Sequence, residues 1–236
     1  MLTRRHFVIT TATMFSGPIA SPLLAQETAT PEVTPEPAAP VAPVEVKRRP
    51  VSNSAMWNSY DARVTPANYD PMTSNPWGLK PRLLPRIVQA NDGLKPGDIH
   101  VDAVARYLYH IRDDGTAMRY GVAIGRSGLY EPGVYTVGRK TKWPTWIPTK
   151  DMIEREPHKY KKYEDGMDGG PSNPLGSRAL YLYEGRRDTY LRIHGSPQPR
   201  SIGSRASSGC VRMVMAHIIG LYDQVETGVT AHLYPA

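Results

Sequence analysis

Only one cysteine, Cys210, occurs in the 236 residues. A chain with a single cysteine forms no internal disulfide, so Cys210 is not a structural staple. An inert buried thiol, an intermolecular bridge and a reactive thiolate remain, and composition alone favours the first. Phenylalanine is nearly absent as well: Phe7 and Phe15 are the two, both close to the N-terminus. The rest of the chain must build its aromatic contacts from Tyr and Trp, which also hydrogen-bond and suit an open polar cleft. Beyond residue 25 no apolar run is long enough to span a bilayer. The net charge of +7 comes with no basic helix or RNA-binding motif, which argues against nucleic acid as a partner. No two histidines stand at zinc spacing, so neither a metal nor an organic cofactor is expected.

What is present begins with an export signal over residues 1–25. Arg4 and Arg5 precede Phe7 in a pattern like a twin-arginine motif, and a weakly apolar stretch follows. It closes at Leu23-Leu24-Ala25, a cleavage site before Gln26. Gly17, Pro18 and Pro22 interrupt the stretch, so it reads as a cleaved signal rather than an anchor. No cysteine stands at the cleavage point, which argues against a lipoprotein. No stable membrane insertion is expected after cleavage, and the destination is the periplasm or cell envelope. Loss of Arg4 and Arg5 lowers the net charge to +5, a modest aid in approaching an anionic wall polymer.

Residues 26–50 hold Pro31, Pro35, Pro37, Pro40, Pro43 and Pro50 and read as a disordered linker. Residues 51–95 carry turn signals such as Asn75-Pro76-Trp77-Gly78 and read as an irregular extension laid against the main domain. From residue 96 to 236 the pattern is of short strands. Asp98–Asp102 alternates, and Arg106–Arg112 leads through Asp114-Gly115 into Met118–Ile124 as a hairpin. Tyr107 and Tyr109 are read as the core and surface faces of one strand. Gly133–Val137, Arg178–Tyr183, Thr189–His194 and Val229–Tyr234 are further strands. Residues 139–176 read as a long loop with one short helix near Asp151–Arg155, of the kind usually found to be functional or mobile. Met215, Ile218, Ile219, Tyr222 and Val225 recur at helical spacing. The expectation is a mostly β domain, a sandwich or barrel, with one main helix near the C-terminus.

Two segments carry chemistry. Ile193-His194-Gly195-Ser196 ends a predicted strand, and Ser207-Ser208-Gly209-Cys210-Val211-Arg212-Met213 precedes the helix, with fifteen residues between His194 and Cys210. A thiol of free pKa about 8.5 attacks only as thiolate. It needs an imidazole within reach, and that imidazole needs a third group to fix its tautomer. No Asp or Glu lies near either segment, so a backbone carbonyl next to His194 is the candidate. Gly209 allows a tight turn in which successive N–H groups converge on an oxyanion.

These segments and their spacing resemble the YkuD-type L,D-transpeptidases. The resemblance covers residues 96–235 and extends to Gly97-Asp98, Pro132-Gly133 and Asn173-Pro174-Leu175-Gly176. It implies a β-rich enzyme that cleaves the bond between a diamino acid and D-Ala in peptidoglycan stem peptides. Cys210 would be nucleophile, His194 base and Gly195 the source of the orienting carbonyl. The N–H groups of Gly209 and Cys210 would build the oxyanion site, and Arg212 would meet a substrate carboxylate, with Ser208 and Ser196 lining the substrate site. The acyl group would pass to another stem, to a lysine of an outer-membrane or wall-anchored acceptor protein, or to a free D-amino acid. The family often has His before its Gly-Cys pair, where this chain has Ser208.

Simpler readings stand beside these. His194 alone would be a structural strand-end histidine, and Arg212 alone a surface residue at a helix start. Trp143, Pro144 and Trp146 either line the cleft or pack. His100, His110, His158, His217 and His232 have no partner motif. The rival functions are a cysteine peptidase or sortase-like enzyme and a non-catalytic wall-binding module.

Overall fold

The computed structural model describes residues 54–236; the expected signal and the whole expected linker lie outside the described residues. Helix α1 (Ser54–Val64) leads through a 3-10 turn at Pro81–Leu83 into strand β1 (Arg86–Gln89). Strands β2 (Ile99–Asp102), β3 (Tyr107–Ile111), β4 (Thr116–Gly121), β5 (Ile124–Gly125) and β6 (Gly133–Lys142) follow. Then come helices α2 (Lys150–Arg155) and α3 (Pro157–Tyr160), strands β7 (Arg178–Glu184), β8 (Arg187–Ser196), β9 (Arg205–Ser207) and β10 (Val211–Val214), helix α4 (Met215–Gln224) and strand β11 (Thr230–Leu233). The region expected to be irregular, residues 51–95, therefore holds an 11-residue helix and a strand paired with β4. The helix has no buried residue and little apolar periodicity, so pattern reading had nothing to detect.

Nine strands form one sheet in the order β1-β4-β3-β2-β11-β6-β7-β8-β10, while β5 and β9 pair separately. The β3–β4 hairpin turns where Asp114 Oδ1 accepts the Thr116 N–H at 3.0 Å, next to Gly115 at a φ of 76°. β11 enters mid-sheet, parallel to β2 and antiparallel to β6. Ala123, just after β4, exchanges two backbone hydrogen bonds with Arg212 of β10 (2.9 and 2.7 Å). The sheet thus curls until its last strand meets the chain leaving β4.

Alternation along the strands sorts the faces. Ile99, Val101, Leu108, Leu180, Leu182, Ile193, Val211 and Met213 turn inward with Ile218 and Leu221 of α4 into one buried core. Tyr107 and Tyr109 are two residues apart and share one face, with rings 6.2 Å apart in a T-shaped pair. That corrects their reading as opposite faces. The region expected to be a long loop starts later, since β6 runs to Lys142. It carries a small core of Trp146, Tyr160 and Leu175. Trp143 is buried against α1, its ring 5.2 Å from that of Tyr60, so both tryptophans pack.

Candidate active site

β8 sends Leu191 and Ile193 into the core, and so places Arg192, His194 and Ser196 on the opposite face. β10 runs parallel to β8 with Arg212 opposite His194 and Val211 opposite Ile193. Cys210 directly precedes β10 and has the parity of Arg212. Its thiol is close enough to Arg192 and Arg212 to feel both charges. The sequence did not reveal β10: its four residues were read only as the approach to the helix.

His194 is buried at 4% exposure. Its Nδ1 lies 2.5 Å from the Gly195 carbonyl; the oxygen only accepts, so Nδ1 carries the proton and Nε2 is the basic nitrogen. Burial above all, with the Arg212 charge adding to it, pushes the imidazole pKa down to about 3. Gly195 is itself fixed from behind. Gly176 has a φ of 61°, and a Cβ there would stand 2.7 Å from the Gly195 carbonyl carbon. Only a glycine in left-handed backbone permits that approach.

Cys210 is partly exposed, and its thiol donates to the Tyr190 carbonyl at 3.7 Å. Burial raises the thiol pKa, and the charges of Arg192 and Arg212 oppose the rise. Resting thiol and imidazole are therefore both neutral. Tyr190 is 69% exposed and has a φ of 62°, a sparsely occupied conformation for a large side chain. Asp188 supports it: Oδ1 accepts the Tyr190 N–H at 2.9 Å, and the carboxylate grips Arg192 at 2.7 and 2.9 Å.

The Cys210 turn is closed by Ser207, whose hydroxyl donates to the Cys210 carbonyl at 2.5 Å and accepts the Gly209 N–H at 3.3 Å. The expected oxyanion donor at Gly209 is therefore engaged within its own turn. Gly209 has a φ of 131°, and a Cβ there would meet the Leu129 carbonyl oxygen at 3.0 Å. The Ser208 hydroxyl lies 3.3 Å from the Tyr160 hydroxyl, which brings α3 of the long connection to the site. Arg212 Nη1 donates to Gln198 Oε1 at 3.2 Å. Ser196 is buried, and its hydroxyl accepts the Gln198 N–H at 3.2 Å. It borders a neighbouring cavity of about 260 Å³ with Arg63 and Trp77, and neither Cys210 nor His194 lines it. Tyr160, Asp188, Tyr190, Arg192 and Ser207 were not singled out in the sequence. Of these, Arg192 was within reach, because period-two alternation alone puts it on the His194 face.

Comparison with known proteins identifies the family. A probable L,D-transpeptidase ErfK/SrfK of Escherichia coli K12 is 30% identical over 152 residues, covering 64% of this chain and 47% of that protein. A probable L,D-transpeptidase YbiS of the same strain is 31% identical over 147 residues, covering 61% and 46%. The chain thus spans about half the length of the curated relatives it matches. A Brucella melitensis structure described as a probable carnitine operon oxidoreductase caia is 51% identical, covering 63% of this chain and 91% of that one, with a TM-score of 0.46. The family model for the L,D-transpeptidase catalytic domain, YkuD, matches residues 96–233. That span contains both β8 and the Cys210 turn, and the chain belongs to the YkuD L,D-transpeptidase family.

Proposed function

We propose that the chain is a thiol-dependent peptidoglycan L,D-transpeptidase in the cell envelope. The observation that carries this reading is the parallel register of β8 and β10, which sets Arg212 opposite His194 and starts β10 directly after Cys210, with the imidazole tautomer set by Gly195. The thiol rotates from the Tyr190 carbonyl toward His194 Nε2, which takes its proton. Sulfur bonds to the carbonyl carbon of the diamino acid, and the tetrahedral intermediate collapses by breaking the bond to the D-Ala nitrogen. The imidazolium returns its proton to that nitrogen, D-Ala leaves, and a thioester remains. An acceptor amine attacks the thioester, gives a proton back through His194, and the thiol is restored.

Partial desolvation makes a neutral resting pair reasonable, since charge is needed only when substrate closes the site. The Arg192 and Arg212 charges then favour the thiolate as it forms. Arg212 also presents a planar fork suited to a substrate carboxylate. With Gly209 N–H held by Ser207 Oγ, the Cys210 N–H is the oxyanion donor that remains from the expected pair. The acceptor is another stem peptide, a lysine of an anchored protein or a free D-amino acid. Export by the twin-arginine route fits Arg4 and Arg5. No helix among the described residues is long and apolar enough to cross a membrane.

Intact-mass measurement with a disaccharide-tetrapeptide tests the reading. Wild type is expected to release D-Ala and carry an acyl adduct, and Cys210→Ala to do neither. The second reading, an idle wall-binding module, rests on the thiol's contact with Tyr190. It prevails if a folded wild-type protein shows neither signal and a β-lactam fails to acylate Cys210.

A further inference from the structure

Away from the nucleophile, the face of β2, β3 and β4 opposite the core floors a second cavity of about 500 Å³. The segment from Gln89 to Leu94 forms one wall and Tyr234-Pro235 another. No residue of the Cys210 site lines it. Its size is that of an ordinary small-ligand site.

The floor is chemically unfinished. His100 is only 6% exposed. Its ring stacks on His232 at 4.5 Å and within 6° of parallel, and its Nδ1 lies 2.8 Å from the Tyr234 hydroxyl. Its Nε2 is buried without a hydrogen-bond partner. Tyr109 and Tyr234 add aromatic surface, Gln89 and Asn91 add side-chain amides, and Asp102 adds a carboxylate. Leu94 and Val104 supply apolar surface. No lysine or arginine is among the lining residues, which disfavours a phosphate or other anion.

Aromatic faces beside neutral amides and a carboxylate suit the C–H faces and hydroxyls of a sugar. We propose that this cavity binds a neutral saccharide, an N-acetylated disaccharide segment of a glycan strand, separately from the nucleophile. The cavity alone gives the saccharide class; the N-acetyl group rests on the proposed wall substrate, with its methyl on Leu94 and Val104. Holding one part of the strand here would raise the effective concentration of attached stem peptides at Cys210.

The test titrates the full chain, as Cys210→Ala, with tetra-N-acetylchitotetraose while backbone amide NMR shifts are followed. Saturable shifts at His100, Tyr109 and Tyr234 are expected. Adding Tyr109→Ala or Asn91→Ala is expected to weaken binding by about tenfold or more. The same two substitutions with Cys210 intact should leave the rate of thiol acylation by a β-lactam unchanged. A folded protein that does not bind at millimolar saccharide overturns the proposal. So do shifts confined to the Arg192–Cys210 region, or affinity untouched in both variants. Equal binding of cellotetraose overturns the N-acetyl assignment. Acylation is read independently, so a failed transpeptidase reading leaves this result standing on its own.

Discussion

Gly176 and Gly195 meet backbone to backbone: a Cβ on Gly176 would lie 2.7 Å from the carbonyl carbon of Gly195 and 2.9 Å from its oxygen. That oxygen holds His194 Nδ1, so a residue nineteen positions upstream of the imidazole's neighbour orients the ring. Gly176→Ala should lower stability by about 1–3 kcal/mol, from the positive φ and the forced shift. It should also reduce the acylation rate more than a matched loss of stability would. Gly170→Ala is the control, because its Cβ would lie an ordinary 3.8 Å from Tyr60. Acylation kinetics at a temperature where both variants are folded make the comparison.

Burial raises the Cys210 thiol pKa, and Arg192 is the foremost charge opposing it. The pH midpoint of Cys210 alkylation should therefore lie above that of an ordinary thiol in the resting protein. Arg192→Met should move it further up. Iodoacetamide labelling followed by mass spectrometry across pH reads both midpoints, and a downward shift in the variant would contradict the assignment.

His194 and His217 are held as neutral imidazoles, each pushed down to about 3, chiefly by burial. Their folded values are depressed, so between about pH 6.5 and 3 the unfolded chain binds protons that the native one does not. Stability is then present above the unfolded value and is lost as pH falls, at up to about 1.4 kcal/mol per pH unit for each histidine. His217 sits among the rings of Tyr69, Trp77 and Tyr120 and has neither ring nitrogen paired. His217→Leu should flatten the acid limb of a denaturation series without abolishing acylation.

Helix α1 is tied down through Asp61, whose carboxylate binds the Arg178 guanidinium at 2.9 and 2.7 Å and accepts from Trp143 Nε1 at 3.1 Å. Arg178 is 3% exposed, so Asp61→Ala leaves a buried charge without its counterion. A loss of about 3–5 kcal/mol is expected, read by urea denaturation. Arg178→Met combined with Asp61→Ala should recover much of it.

The sequence displayed those parts that depend on local pattern. Alternation from Arg178 to Tyr183 and from Thr189 to His194, and the helical spacing from Met215 onward, correspond to β7, β8 and α4. The His194 and Cys210 segments stood out by residue type. What stayed hidden depends on distant contacts. α1 has no buried residue and is held by an ion pair to a strand 117 positions away. Tyr190's left-handed backbone follows from Asp188 and the irregular pairing of β7 with β8. The occupied Gly209 N–H depends on the rotamer of Ser207, which no spacing rule reveals.

The position of β11 has a temporal consequence. It lies between β2 and β6, joining the two halves of the sheet, yet it is made from residues 230–233, after every other element. During synthesis the early strands wait for a partner that emerges last, and such non-local pairing is slow. β8, which carries His194, and β10, which Cys210 directly precedes, belong to the half that lacks this seam until then. The exposed edge of β2 therefore stays unpaired on that side until residues 230–233 arrive, which makes closure of this seam a late step in folding.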